Sequence, residues 1–448
     1  MSHYKPYPSY KDSGVEWLGR VPEHWVASRF SRVIAGIKDG THGTFERVDD
    51  GQPLLSAKNV SDGVLDISSS ESQISEADHA SIVANGYPQR GDLLLTIVGS
   101  IGRACVYPYD YPLSFQRSVC FIRLTPERSP DFFRYFSQSK FFQEQIQSKS
   151  KSSAQAGIYM GDVAATSIAF PTCVEEQEAI VSCLDRETTR IDALIAKKTR
   201  FIELLREKRQ ALITHAVTKG LDPSVKMKDS GVEWLGPVPE HWVIKRFRDI
   251  CISISTGPFG TALGNEDYVT GGVPVINPSH IVDDQCSPDP DITVSAETAE
   301  RLTFWAMRTG DLVTARRGEL GRAAVIFDEQ DGWICGTGSL RVRPNPSQVL
   351  TGYLHTVLQS RYAREWLNLA SVGATMANLN EGILGSLPLA LPPSTPEQEQ
   401  LLSSLATQGE RLIKIEQKAT LSVALLKERR SALITAAVTG QIDLREAV

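Results

Sequence analysis

The sequence predicts a mixed α/β chain in which two globular domains form a pseudo-two-fold internal repeat, separated by two long antiparallel coiled-coil helices. Three observations predict this. The phrase KDSGVEWLGRVPEHW from Lys11 returns at Lys228 as KDSGVEWLGPVPEHW, changed only where Arg20 becomes Pro237. A long segment free of Gly and Pro, with leucines on a seven-residue beat, runs from Glu176 to Val217, and its beat returns near the end of the chain. Between these features lie short apolar runs bounded by Gly, Pro and Asp, mixed with amphipathic stretches.

The repeat extends beyond the opening phrase. RGDLLLTIVGSIGRACVY from Arg90 parallels TGDLVTARRGELGRAAVI from Thr309, sharing Gly-Asp and the Gly-Arg steps Gly102-Arg103 and Gly321-Arg322. IAFPTCVEEQE from Ile168 parallels LALPPSTPEQE from Leu389, and ALITHAVT from Ala211 parallels ALITAAVT from Ala432. Two copies of about 220 residues therefore tile the chain. The edges of each copy match closely while the middles match only at scattered positions, so the edges do one job twice and the middles do different jobs.

In order, the elements are a globular domain at residues 1–174, a helix at 175–220, a second globular domain at 221–394, a second helix at 395–440 and a tail at 441–448. Strands are expected in LLLTIVG, ACVYPY, SVCFIRL, DLVTA, AAVIF and SLRVRP, and helices in PDFFRYFSQSKFFQEQIQSK and VLTGYLHTVLQSRYAREWLNLA. In the first long helix Leu184, Ile191, Leu205 and Leu212 keep the seven-residue beat, joined by Ile180, Leu194 and Ile202. Leu405, Leu412, Ala419, Leu426 and Leu433 keep it in the second. Pro171 and Pro392 precede the first turns, acids favour the helix start, and Gly220 and Gly440 end the helices. Forty residues of helix span about 60 Å and need a partner, which the other copy supplies. The first helix runs into the second phrase, and the second ends where a closed chain would re-enter the first, which implies a circular layout.

With 448 residues the chain exceeds the roughly 250 to 300 that one core serves. Its hydrophobic content of 41% and charged content of 22% are those of a soluble protein, and the opening MSHYKPYPSY shows no secretory signal, so a cytoplasmic location and no membrane are expected. The seven cysteines show no metal-ligand or disulfide spacing. A net charge of −6 means that any nucleic-acid contact uses local basic patches or a basic partner. No phosphate-binding loop, dinucleotide fingerprint, HExxH or GxSxG motif is present, so no catalytic residue, cofactor or metal site is assigned to this chain. Glu23-His24 and Glu240-His241 read as packed, hydrogen-bonded pairs at a domain junction.

The repeated GVEWLGxVPEHW, the GD…G…GR core and the P…EQ helix start together resemble the specificity subunit of type I restriction-modification enzymes, over essentially the whole chain. The resemblance implies two target recognition domains, each reading half of a split double-stranded DNA target, with the helices as a ruler. It implies two methyltransferase subunits bound by the duplicated edges, with Trp17, Leu18, His24 and Trp25 as candidate contacts in one copy and Trp234, Leu235, His241 and Trp242 in the other. It also implies restriction subunits, with S-adenosylmethionine, ATP and magnesium carried by those partners. Two other classes compete. One is a coiled-coil scaffold whose domains bind only proteins. The other is a fused methyltransferase, disfavoured because no NPP[FY] or DPP[FY] motif appears and INPSH at Ile276 falls short.

Candidate DNA contacts in the first domain are Lys38, Thr41 and His42 in IKDGTHGTF, Lys58 and Asn59 in SAKNV, Arg103, Gln116 and Arg117 in SFQRS, and Tyr159. Lys149 and Lys151 in QSKSKSS suit backbone tracking, while Asn59 and Gln116 suit bidentate reading of adenine. In the second domain the candidates are Phe259 and Thr261 in STGPFGTAL, Asn277, Ser279 and His280 in INPSHI, and Arg316, Arg317 and Arg322 in TARRGELGR.

Overall fold

The computed structural model describes residues 4–61, 63–68, 70–150, 157–371 and 378–445. The chain divides into two compact units, Met1–Thr199 with Leu421–Val448, and Arg200–Thr420. Each is built on the same plan.

In the first unit a four-stranded antiparallel sheet runs in the order Ala104–Val106, Leu93–Thr96, Val119–Leu124, Ile34–Asp39. Leu93–Thr96 is a continuous apolar run because both of its faces are covered. Leu93 and Leu95 join the core containing Phe132, Phe133, Phe136 and Phe142 of the helices Pro130–Gln138 and Lys140–Lys149, while Leu94 faces a second core with Leu55, Tyr107 and Phe115. A smaller sheet pairs Ser114–Phe115 parallel to Gln52–Leu55, which pairs antiparallel to Gln73–Ile74.

The second unit repeats this with the strand order Cys251–Thr256, Ser339–Pro344, Leu312–Ala315, Ala323–Val325. Leu312 faces one core and Val313 the other. Its smaller sheet contains Tyr268–Val269, Thr293–Val294, Val273–Ile276 and Ile334–Cys335.

The shared Gly-Asp and Gly-Arg signals have a structural cause in both units. Asp92 is buried and receives two hydrogen bonds from the Arg123 guanidinium, at 2.9 and 2.7 Å; Asp311 receives two from Arg343, at 2.8 and 2.7 Å. These bidentate pairs tie the second strand of each sheet to the third, and they raise the pKa of both arginines. Gly102 and Gly321 hold φ of 92° and 87°, and a Cβ at Gly102 would run into Gln143 and Ile146.

The long helices are Val174–Lys219 and Thr395–Val438. In the first unit Arg430 pairs with Asp192 at 2.9 Å; in the second Arg206 pairs with Glu416 at 2.6 Å. Advancing from Asp192 to Arg206 on one helix retreats from Arg430 to Glu416 on the other by the same number of residues, so the helices pair antiparallel. Leu184, Ile191 and Leu433 are buried in the first unit and Leu205 in the second. Leu194 departs from the expected seam: it is 41% exposed, on the outer side of its helix.

The helix start explains the duplicated phrase. The Glu176 carboxylate accepts from Tyr7 Oη at 3.1 Å, His24 Nε2 at 2.9 Å and Trp25 Nε1 at 3.1 Å. Gln177 accepts from the Ser129 N–H at 2.9 Å and donates to the Pro171 carbonyl at 2.8 Å. In the second unit Glu397 accepts from His241 and Trp242 at 2.9 and 2.8 Å, and Gln398 accepts from the Leu350 N–H at 2.9 Å. The recurring EHW and EQ are thus two halves of one latch. Beside it, strand Trp25–Arg29 pairs with Ser167–Pro171, and Val243–Arg246 with Pro388–Leu391.

Residues 441–444 pack into the first unit. Ile442 and Leu444 are buried in its main core, the Asp443 N–H donates to the Lys5 carbonyl at 2.8 Å, and Gln441 Nε2 donates to the Arg20 carbonyl at 3.0 Å.

Candidate nucleic-acid interface

In both units the strand that opens the large sheet ends in a glycine pressed against the end of a short strand of the small sheet. A Cβ at Gly40 would overlap the carbonyls of Phe115 and Gln116, and a Cβ at Gly257 those of Cys335 and Gly336. These close approaches place the loop after each glycine beside the loop at 116–118 or 336–338.

In the first unit the approach brings candidates from two separate segments together, Thr41 from one and Gln116 and Arg117 from the other. The Thr41 N–H donates to the Phe115 carbonyl at 2.7 Å, the Arg117 N–H donates to the Thr41 carbonyl at 3.0 Å, and Thr41 bridges Gln116. Lys38, Thr41 and His42 line a concavity of about 270 Å³ with Asp39, Asn85 and Gly86. His42 is exposed and lies 2.7 Å from Asp39, so its imidazole is oriented along the rim.

In the second unit Phe259, Arg316 and Arg317 line a larger concavity of about 810 Å³ with Thr256, Thr337, Asn380 and Glu381. Arg316 is committed to the wall, donating to the Leu379 carbonyl at 3.1 Å and the Thr337 carbonyl at 3.3 Å. Arg317 is exposed, and its guanidinium meets no hydrogen-bond or ion-pair partner among the described residues. Phe259 is 66% exposed. Glu381 accepts from the Thr256 N–H at 2.7 Å and fixes the glycine-bearing loop. Asn380 and Glu381 went unread in the sequence because NLNEG carries no basic or aromatic signal.

The remaining candidates divide. Arg103, Arg117 and Tyr159 are exposed, as are Thr261 and Ser279, and Asn277 is half-buried beside Gly336. Lys149 donates to the Asp162 carbonyl at 3.3 Å. Lys151 lies outside the described residues. Lys58 pairs with Glu71 at 2.6 Å, and its hydrogen bond holds that carboxyl below the usual carboxylate range.

Asn59 and His280 are corrected. Both are buried turn-formers: Asn59 accepts from the Ser56 N–H at 2.9 Å and donates to the Asp66 carbonyl at 3.0 Å, and His280 Nδ1 lies 3.0 Å from the Val275 carbonyl. The two repeats close the same turn with different side chains, leaving neither free to reach a base. Arg322 is likewise spent on the fold, donating to the Pro278 carbonyl at 2.6 Å.

The duplicated phrase is corrected in part. Trp25, Trp242, Leu18 and Leu235 are buried in the core of their own units and present nothing to a partner. Trp17 and Trp234 point outward, 63% and 57% exposed. His24 and His241 are half-exposed but held by Glu176 and Glu397.

Among the described residues no cluster of three or more His, Cys, Asp or Glu side chains is placed to hold a metal ion, and no helix is long and apolar enough to cross a membrane. Burial pushes the thiols of Cys120, Cys251 and Cys335 up to about 12, which keeps them protonated and unreactive.

Residues 69–204 and 239–423 match the family described as the type I restriction modification DNA specificity domain. The chain belongs to that family. Two curated relatives of this specificity chain are the type I restriction enzyme StySPI specificity subunit of Salmonella potsdam, 23% identical over 48% of this chain and 47% of the relative, and the EcoBI specificity subunit of Escherichia coli, 23% identical over 44% and 42%. The specificity chain thus spans about half the length of the curated relatives it matches. Its fold is similar to a chain solved in work on complex assembly and conformational transition of the type I R-M system, with a TM-score of 0.70 at 17% identity over 96% of this chain and 99% of that one. It is also similar to the HsdS subunit from Thermoanaerobacter tengcongensis, with a TM-score of 0.51 at 17% identity over 94% and 98%.

Proposed function

We propose that the chain is the non-catalytic recognition subunit of a type I restriction-modification complex, reading a bipartite double-stranded DNA target with one half-site per globular domain. Residues 1–174 and 221–394 act as target recognition domains, and 175–220 and 395–440 as spacer helices. What supports this reading is that two divergent middles carry their candidate side chains at equivalent points, the loops beside Gly40 and Gly257, inside a family defined by DNA specificity. In the first domain Lys38, Thr41, His42, Gln116 and Arg117 face the duplex; in the second Phe259 and Arg317 do, with Arg316 holding the wall behind them. Arginine beside an exposed aromatic suits a guanine edge or a phosphate.

The exposed Trp17 and Trp234 anchor two copies of a methyltransferase subunit, and restriction subunits join that assembly. S-adenosylmethionine, ATP and magnesium reside on those partners, whose basic surfaces offset the net charge of −6. The complex works in the cytoplasm. The test is single-molecule mapping of adenine methylation in cells holding the cognate methyltransferase with and without this chain. A split motif that vanishes with the chain is the expected result; methylation unchanged by its removal overturns the reading.

A further inference from the structure

Aligned at the offset that carries Ala211 onto Ala432, the repeat sets Tyr135 against Thr356, Asp185 against Ala406, Thr188 against Gly409, Asp192 against Ile413 and Arg430 against Arg209. In the first unit these groups satisfy one another. The buried Tyr135 phenol donates to Asp185 at 2.6 Å and lies 3.1 Å from Thr188 Oγ1, with the Arg134 guanidinium 4.0 Å above its ring. Arg430 pairs with Asp192 at 2.9 Å. In the second unit the ring, both groups that bind its hydroxyl, and the carboxylate facing the arginine are all gone.

What remains there is a groove of about 480 Å³, floored by Leu212, Ile213 and Leu405 and walled by Thr356 and Gly409. Arg209 stands at its rim, exposed and without a carboxylate partner among the described residues. The acid beside it, Glu410, pairs with Lys414 at 3.7 Å. The first unit therefore specifies what the second lacks: an aromatic ring and one carboxylate. A cavity of about 150 Å³ suffices for a benzene ring, so this groove has room for a ring together with the backbone that carries it. Buried aromatic side chains in such pockets are the usual anchors of protein interfaces.

We propose that this groove docks a partner polypeptide that seats an aromatic ring where the Tyr135 ring sits in the other unit and presents a neighbouring carboxylate to Arg209. Among the described residues its counterpart in the first unit is filled by Tyr135, so the occupant binds once per chain. It does not depend on the DNA reading.

The test is saturation-transfer NMR on the full chain with two probes at millimolar concentration, acetyl-Tyr-Glu-amide and p-cresol. Saturation of the tyrosyl ring by the wild-type chain is expected, together with its loss in Gly409→Leu, where a Cβ meets nothing within 4 Å, and in Thr356→Tyr. Both variants are checked for an unchanged melting profile, and Gly409→Leu also replaces a poor helix former with a good one. Arg209→Glu is expected to weaken the peptide several-fold while leaving p-cresol unchanged. Equal ring saturation in wild type and Gly409→Leu, or no saturation of either probe, overturns the proposal. Binding of p-cresol with a peptide signal indifferent to Arg209→Glu overturns the polypeptide as occupant.

Discussion

Trp25 donates its indole N–H to the carboxylate of Glu176 at 3.1 Å, joining the end of the duplicated phrase to the first turn of a helix that begins about 150 residues later in the chain. Trp242 and Glu397 repeat the arrangement at 2.8 Å. A phrase that must meet a fixed acceptor on a fixed helix start has little freedom to drift, and this accounts for the matching edges of the two copies before any partner is considered.

Removing the acceptor strands these donors. Glu176→Ala leaves the buried Trp25 indole, with Tyr7 and His24, without a carboxylate, and about 1 to 3 kcal/mol of stability is expected to be lost. Glu397→Ala costs less, since that carboxylate is 32% exposed against 8% for Glu176 and serves two donors. Glutamine at either position keeps one accepting oxygen and recovers part of the loss. Urea unfolding of the four variants, read by indole fluorescence, checks the order.

The glycines before the candidate loops are predicted to be selective. Gly257→Ala forces its loop away from Gly336 and abolishes recognition of one half-site while the other is still read; Gly40→Ala does the reverse. Methylation mapping in cells carrying each variant distinguishes this from general unfolding, which would erase the whole motif.

Neighbouring arginines are expected to behave differently. Arg317→Ala removes an exposed guanidinium and weakens one half-site by about 1 to 3 kcal/mol if it contacts a base. Arg316→Ala also releases the Leu379 and Thr337 carbonyls and loosens the wall that carries Asn380 and Glu381. Titration of the assembled complex with duplexes altered in one half-site should show sharper base selectivity loss for Arg317→Ala and a fall in thermal stability only for Arg316→Ala.

The clasp formed by the end of the chain should respond to acid. The Arg445 side chain, hydrogen-bonded to Asp443, holds that carboxyl below the ordinary aspartate value. A depressed folded-state pKa contributes stability in full above the unfolded value, about 3.9, and the contribution is lost as pH falls through the lower folded value. Amide exchange at 441–445 should therefore accelerate selectively below about pH 4 relative to the core of the same unit, and Arg445→Ala should remove that selectivity.

Much of this architecture is legible in the residues because it is periodic or repeated. The seven-residue beat of Leu184 and Ile191 marks a buried helix face, and LLLT and DLVTA mark strands covered on both sides. Direction within a turn is not legible in the same way. Trp17 and Trp25 belong to one phrase, yet the first lies in the turn bounded by Gly14 and Gly19, with φ of 70° and 65°, and faces water, while the second opens the strand Trp25–Arg29 and is buried. Asn59 is a candidate base reader by its place in SAKNV, and His280 a candidate DNA contact by its place in INPSHI; their partners in the structure are backbone groups of their own turns. Leu194 fits the pattern of the helix yet is 41% exposed.

The return of the chain to the first unit after Thr420 sets an order for synthesis. Residues 421–448 belong to a body whose other part is finished by residue 199, and everything between builds the second unit. At about 5 to 20 residues per second, the ribosome needs roughly 10 to 45 s to cross that interval. During this time the first unit lacks Leu433, Ile434, Ile442 and Leu444 from its core. The half that emerges first is therefore the half that closes last, and it is the one whose unfinished apolar surface a nascent-chain chaperone would meet.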